Sequence, residues 1–332
     1  MRNKYPLIYG IGNPLIDITI NAKDSDIVNL GMDKGTMKLV DEKQQLEIIS
    51  YFKNAEQKFS PGGSAPNTII ACAGLGVPSL ISGKIGKDKF GDIYLNQVKK
   101  IGALSGLVQT DGPTGTSIVL VTPDGERTMN THLGTCRDYG SDDIDIMQLA
   151  DASYFYFTGY MWDTLSQKGA IQKAISIAKG KNIRIGFDVA DPFVVKRYKN
   201  EFINMIRDDV DIVFANEAEI GILFESANIN ESINQLRQIV KTGCIKLGGK
   251  GSIIFNNNEK YHVKANHVIV KDTTGAGDMY AAGFLSSISQ KNDYQLAGEW
   301  GSILAEEIIQ ISGTQFDKKT IDRLKHKLIS FL

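Results

Sequence analysis

Tyr154-Phe155-Tyr156-Phe157-Thr158, then Leu165–Lys179, then Ile183-Arg184-Ile185-Gly186-Phe187-Asp188 is the stretch that decides the architecture. It reads as strand, helix, strand. The rhythm continues outward. Residues 192–206 read as a helix, 212–215 as a strand, 217–224 and 233–241 as helices, and 244–247 and 252–255 as strands. Toward the N-terminus, 7–11 reads as a strand, 41–54 and 67–76 as helices, 80–83 as a strand and 90–100 as a helix. From Gly275 onward the pattern is almost wholly helical. Repeated β-then-α units predict a parallel sheet with helices on both faces.

Two stretches break the rhythm. Residues 19–39 are strand-like and polar, with no clear helix. Residues 115–121 and 126–130 flank Pro123-Asp124-Gly125 and predict a β-hairpin. Together they predict a small β-sheet lid, the alternative being an edge extension of the main sheet. The expected division is a large α/β domain over residues 1–18, 55–110 and 136–332. Part of 19–54 and residues 111–135 would form the lid.

Composition excludes several classes. Glycine supplies 33 of 332 residues, above the usual ~7%. With 42% apolar and 23% charged residues the chain is neither disordered nor, lacking a three-residue glycine period, collagen-like. The 37 basic and 38 acidic residues leave a net charge of −1, so no nucleic-acid or membrane partner is expected. No apolar run is long enough for a transmembrane helix. The N-terminus reads as a strand rather than a signal peptide. Three scattered cysteines, Cys72, Cys136 and Cys244, make neither a disulfide framework nor a zinc pattern, and a cytoplasmic location is expected.

Chemistry concentrates in three segments. Asp272-Thr273-Thr274-Gly275-Ala276-Gly277-Asp278 leads from an expected strand at 267–270 into a helix of small and apolar residues. Glycines at a helix start leave free N–H groups, and the helix dipole suits a phosphate. Asp278 would repel that phosphate, so it needs its own reason. General-base chemistry on an attacking hydroxyl supplies one, and a helix cap is the alternative. In Pro61-Gly62-Gly63-Ser64-Ala65-Pro66-Asn67, paired glycines admit close backbone approach, and Ser64 and Asn67 can bond hydroxyls. A plain turn capped by Asn67 is the competing reading. Gly10-Ile11-Gly12-Asn13-Pro14-Leu15-Ile16-Asp17 fails as a dinucleotide fingerprint because Leu15 stands where the third glycine belongs. Instead Asn13 and Asp17 follow the first strand, where an amide and a carboxylate can grip two sugar hydroxyls. The chain has no Walker A sequence, nucleophile elbow or paired-cysteine site.

The G-G-S-x-x-N and D-T-T-G-A-G-D segments, in this order and at this separation, resemble the two signatures of the ribokinase-like family. This is the phosphofructokinase-B type of carbohydrate and nucleoside kinases. The resemblance extends over nearly the whole chain. It implies a three-layer α/β/α sandwich with a mostly parallel sheet and a small β-lid. It implies ATP and Mg²⁺, with K⁺ as a monovalent cation in addition. Asp278 matches the family's catalytic base, and Gly275, Ala276 and Gly277 its anion hole. Asn13, Asp17, Gly62, Gly63, Ser64 and Asn67 match substrate contacts. Asn216 and Glu219 resemble an N-x-x-E motif linked to magnesium and phosphate. Lys246, Gly248, Gly251 and Thr273 fall on the nucleotide side. Asp272 resembles a residue of the monovalent-cation site, completed by the loop at Ser312-Gly313. Arg127 resembles a lid arginine that closes over the phosphates; its alternative is an exposed hairpin charge.

For the acceptor, G-N-P-L-I-D-I (12–18), Tyr154–Tyr160, Asp191-Pro192-Phe193 and Ile308–Thr314 resemble adenosine kinases most. One departure is that Tyr160 is followed by Met161 and Trp162, where those enzymes tend to carry an aromatic pair after the glycine. The expected reaction is γ-phosphoryl transfer from ATP to a nucleoside, adenosine first, by a monomer or homodimer. The alternatives are a sugar kinase on the same catalytic residues and a non-catalytic nucleotide sensor.

Overall fold

The structure, a computed structural model, describes residues 6–290 and 293–329. Residues 1–5, which lead into the expected first strand, lie outside it.

In chain order the first part contains β1 (Ile8–Ile11), β2 (Leu15–Asn21), α1 (Asp24–Asn29), β3 (Met37–Leu39), α2 (Glu42–Tyr51), β4 (Gln57–Gly62) and α3 (Ser64–Gly74). Then come β5 (Ser79–Gly86), α4 (Lys89–Ile101), β6 (Leu104–Thr110), β7 (Gly115–Val121), β8 (Arg127–His132), α5 (Ile146–Ala150) and β9 (Tyr154–Thr158). The next are α6 (Leu165–Gly180), β10 (Arg184–Asp188), α7 (Pro192–Asp209), β11 (Ile212–Asn216), α8 (Glu217–Phe224) and α9 (Ile229–Arg237). The last are β12 (Thr242–Lys246), β13 (Ser252–Asn256), β14 (Glu259–Val263), α10 (Ala276–Ser289), α11 (Tyr294–Ile308) and α12 (Lys318–Ile329).

A nine-stranded sheet runs β14-β13-β12-β11-β10-β9-β1-β5-β6. Its strands are parallel from β12 to β6, and β13 and β14 add an antiparallel edge. Its inner strands β1, β9 and β11 are buried on both faces and so carry apolar residues at nearly every position. In β9, Tyr154 and Tyr156 face one core, shared with α3, α4, α10, α11 and α12. Phe155 and Phe157 face the other, shared with α5 to α9. The expected three-layer α/β/α sandwich follows from this period of two.

Chain order reverses at β1. From there β5 and β6 lie to one side and β9 to β12 to the other. A ligand crevice is expected outside the carboxyl ends of the strands at such a switch. Asn13 leaves β1 at that point.

A second sheet runs β3-β8-β7-β2-β4. The hairpin β7–β8 is as expected, with Val121 opposite Arg127, and it belongs to this sheet rather than to an edge of the main one. Three expectations need correction. The sheet takes β2 from residue 15 and β4 from 57–62, although residues 15–18 and 57–62 were expected in the large domain. The reason is that Ile16, Ile18 and Ile20 alternate with half-buried polar positions, a one-sided pattern that the two-sided main sheet cannot use. Residues 19–39 do contain a helix, α1, whose Ile27 belongs to the same hydrophobic core as Ile48, Phe52 and those isoleucines. Residues 267–270 form no strand: Ile269 and Val270 are exposed and pair with no neighbour.

Midway along its length α10 packs closely on α11. At Gly283 an added Cβ would lie 2.4 Å from the Trp300 carbonyl oxygen. Gly283→Ala is expected to lower stability by about 1–3 kcal/mol through overpacking, read as a reduced denaturation midpoint. An unchanged midpoint would show that the two helices can separate without cost.

Candidate active site

Helices α3 and α10 run side by side in the same direction. Thr68 Oγ1 donates to the Asp278 carbonyl at 3.1 Å, and four residues on in each helix Cys72 Sγ reaches the Ala282 carbonyl at 3.5 Å. Both N-termini therefore open toward the same crevice, and both dipoles place positive potential there.

The turn into α10 is fixed by Asp272. Its Oδ1 accepts from Thr274 N at 3.0 Å and its Oδ2 from Gly313 N at 2.9 Å. Gly275 caps the helix at φ +79°, a backbone conformation glycine adopts without steric cost. Ala276 N–H turns back onto the Thr273 carbonyl at 3.2 Å. Among the described residues the Gly275 and Gly277 amides bond no backbone acceptor. Two of the three amides expected for an anion are thus open.

Asp278 is not a cap. It sits in the first turn of α10, and its carboxylate points across to α3. Ser64 Oγ donates to Oδ1 at 2.6 Å and Asn67 Nδ2 to Oδ2 at 2.9 Å. Burial pushes its pKa up to about 7, against the lowering effect of those two bonds. Asn67 likewise caps nothing. Gly63 is the N-cap of α3, and Asn67 Oδ1 is held by Thr314 Oγ1 at 3.5 Å and Gln315 Nε2 at 3.3 Å.

On the second-sheet side Asp17 lies over Gly62. An added Cβ there would come within 2.4 Å of Asp17 Oδ2, and one at Gly63 would meet the Asn13 carbonyl. Burial raises the Asp17 pKa to about 7; Arg127 opposes this, while Asp278 and Asp272 add to it. Asn13, Asp17, Gly62, Gly63, Ser64 and Asn67 thus converge on one crevice. The Asn13 side chain is itself oriented, its Oδ1 accepting from Gln167 Nε2 at 2.7 Å.

On the other side of α10 stand two carboxylates and a lysine. Lys246 Nζ bonds Asp188 Oδ2 at 3.0 Å and lies 3.1 Å from where a Gly277 Cβ would be. Burial pulls the lysine down, but Asp188 and Glu219 outweigh it and its pKa is raised. Glu219 is pushed up to about 7 by burial, against the pull of Lys246. Both its oxygens accept from Asn216, Oε2 from the backbone N at 2.7 Å and Oε1 from Nδ2 at 2.6 Å, so the N-x-x-E segment is a helix capping box. Gly248 is exposed. Gly251 is buried at φ +92°, and a Cβ there would strike the Val263 carbonyl, so its glycine serves the β13–β14 edge. Thr273 is exposed at the rim.

Arg127 reaches from β8 to the turn before α10. Its Nη1 bonds Asp272 Oδ2 at 3.0 Å and Thr274 Oγ1 at 2.9 Å, so it is not a free hairpin charge. A cavity of about 240 Å³ opens beside this pair, bordered by Thr19, Asn21, Lys58, Lys271 and Ser312.

Sequence reading missed two residues. Asp188 ends β10, a strand whose carboxyl end faces the crevice, and that position was the available signal. Gln167 carried none: it follows Thr164 at capping-box spacing, yet its side chain bonds Asn13 and the Cys136 carbonyl instead. Trp162 is turned away from the crevice. It packs edge-on against Phe202 and donates to Glu201.

Residues 36–321 match the family described as pfkB family carbohydrate kinase. The fold resembles the crystal structure of adenosine kinase from Sinorhizobium meliloti, with 33% identity, 96% of this chain and 99% of that one covered, and a TM-score of 0.88. It also resembles a probable sugar kinase from Rhizobium etli, with 30% identity, 98% and 99% covered, and a TM-score of 0.90. The adenosine kinase of Schizosaccharomyces pombe is 26% identical over 93% of this chain and 95% of its own length. No helix among the described residues is long and apolar enough to cross a membrane.

The raised carboxylates have a stability consequence. Between the unfolded value of 3.8 and the folded value of about 7, Asp278 holds a proton that the unfolded chain has lost. Its contribution is therefore fully present in acid and is lost as pH rises through about 7. Asp278→Asn removes this dependence. Its melting temperature relative to wild type is expected to be higher at about pH 8 than at about pH 5. An equal difference at both pH values would mean that the folded chain does not disfavour the charge.

Proposed function

The chain belongs to the pfkB family of carbohydrate kinases, and within it we propose that this kinase transfers the γ-phosphoryl group of ATP to the 5′-hydroxyl of adenosine. The observation that carries the transfer is Asp278. It is a carboxylate raised to about 7, fixed by Ser64 and Asn67, beside free amides at a helix start. A group so poised can accept a proton near neutral pH.

The acceptor lies between Asn13, Asp17 and the Gly62–Gly63 backbone, which bind its ribose hydroxyls. Its primary hydroxyl faces Asp278. As the oxygen attacks the γ-phosphorus, its proton passes to the Asp278 carboxylate, the bond to the bridging oxygen breaks and ADP leaves. The Gly275 and Gly277 amides and the dipole of α10 stabilise charge on the transferring group. Lys246, Asn216, Gly248, Gly251 and Thr273 border the nucleotide. Arg127 keeps Nη1 on Asp272 and offers its remaining N–H groups to phosphate oxygens, as a planar fork allows. The second sheet, carrying Asp17 and Arg127, acts as the lid and excludes water that would otherwise hydrolyse ATP.

Magnesium, when bound with ATP, supplies charge neutralisation on the phosphate oxygens. The residues fit an ion that keeps most of its ligands on phosphate and water. No trio of metal-ligating side chains occurs among the described residues. Glu219, whose oxygens already hold Asn216, would reach such an ion through water.

Adenosine is favoured by the full-length likeness to adenosine kinases. A sugar acceptor is the second reading, favoured by Trp162, which is buried against Phe202 and offers no face for a base to stack on. An ATP-consumption assay over a panel of nucleosides and sugars separates them. Turnover on adenosine is expected. Turnover on sugars alone moves the assignment to a sugar kinase, and none on any acceptor favours a nucleotide sensor.

Asp278→Asn is expected to cut kcat by at least ~10²-fold while the protein stays folded. In wild type, kcat/KM is expected to fall as pH drops below about 7, where Asp278 takes up its proton. Near-normal turnover in a folded variant would remove the base assignment. Asp17→Ala is expected to raise KM for the acceptor more than KM for ATP. Equal increases would argue against a ribose contact.

A further inference from the structure

The Asp272 carboxylate is crowded with donors. Oδ1 accepts from Thr274 N, and Oδ2 accepts from both Gly313 N and Arg127 Nη1. The same Nη1 takes the Thr274 hydroxyl oxygen at 2.9 Å. The pair is largely buried, with the two side chains 15% and 5% exposed. A monovalent cation at Asp272 needs oxygens turned toward it. Here the carboxylate and the neighbouring hydroxyl are turned toward N–H groups, and a fixed positive charge already stands against them. These residues do not fit such an ion while Arg127 is in place.

We propose that Arg127 is the built-in cation of this site. It neutralises Asp272, holds Thr274 and so orders the Gly275–Gly277 turn without K⁺. The inference rests on the kinase reading of that turn and adds to it an independence from monovalent cations. Register supports a standing contact. Arg127 lies opposite Val121, which is level with Asn21 on β2, so the guanidinium leaves the same face of the second sheet as Asp17 and Thr19. The pair therefore bridges the proposed lid to the anion site through one side chain. A buried charge pair loses heavily when one partner is removed, because the other is left uncompensated. An ion that could fill the gap would recover part of that loss.

The test has two readouts. In the first, phosphoryl transfer by the wild-type chain is measured in potassium chloride and in tetramethylammonium chloride at equal ionic strength. The rates are expected to agree within about twofold, and a loss of about tenfold or more without K⁺ would overturn the proposal. The second is the melting temperature of the ligand-free protein in the same salts, which reports specific ion binding to the folded state whatever the activity. Wild type is expected to show no K⁺-specific rise. Arg127→Met is expected to gain one, or to fold only in K⁺. Arg127→Lys, which keeps the charge, is expected like wild type to show no K⁺-specific rise in melting temperature. A K⁺-specific rise in wild type or in the lysine variant would overturn the proposal, as would its absence in the methionine variant. Failure to phosphorylate any acceptor would remove the kinase reading and leave the melting result standing.

Discussion

The Asp278 carboxylate, gripped by Ser64 and Asn67 from a helix more than two hundred residues earlier, is the contact on which the site depends. It requires two helix starts to meet at one point. The parallel course of α3 and α10 meets that requirement, and the bonds from Thr68 and Cys72 hold them level. Both dipoles then add at the crevice instead of cancelling. The same arrangement sets two tendencies against each other. A carboxylate placed among buried groups resists ionisation, while the helix ends invite an anion beside it.

Close approach follows from that geometry. Gly62 is bare so that Asp17 can lie on the chain, Gly63 so that the Asn13 carbonyl can pass, and Gly277 so that Lys246 can reach the start of α10. Each missing side chain is replaced by a charged or polar group rather than by apolar packing. The glycine surplus in the composition is in part the trace of this. It also shows its limit as a signal, since Gly251 and Gly283 serve backbone packing instead.

Local pattern made much of this legible. The alternation of aromatic and β-branched runs with helices was enough for the parallel sheet, because both faces are buried and leave no polar alternation. The start of α10 was legible because glycines before a run of small residues have few other uses. The second sheet was harder to bound. Its strands β2 and β4 are contiguous in sequence with main-sheet β1 and with α3, and only the one-sided burial of Ile16, Ile18 and Ile20 separates them. Helix α1 was hidden by its brevity, with Ile27 its only buried residue. Asp188 and Gln167 were missed for another reason: their roles are set by partners 58 and 154 residues away, and no local spacing encodes such distances.

The charge balance of the crevice argues for what it must hold. Lys58 and Lys271 stand at the rim of the cavity beside Arg127, and the two cations set deeper among Asp17, Asp188, Glu219, Asp272 and Asp278 are Lys246 and Arg127. Those two cations are committed to Asp188 and Asp272. Asp17, Glu219 and Asp278 are left without a dedicated cation, and these are the three carboxylates whose pKa values rise to about 7. A bare polyphosphate would add to this excess. One that arrives with a divalent ion would relieve it near Glu219, and a neutral polyol would satisfy Asp17 by hydrogen bonds without adding charge. At Asp278 the bonds from Ser64 and Asn67 oppose burial without overcoming it. The ligand-free chain thus sustains three carboxylates that burial holds at about 7, with no cation dedicated to any of them.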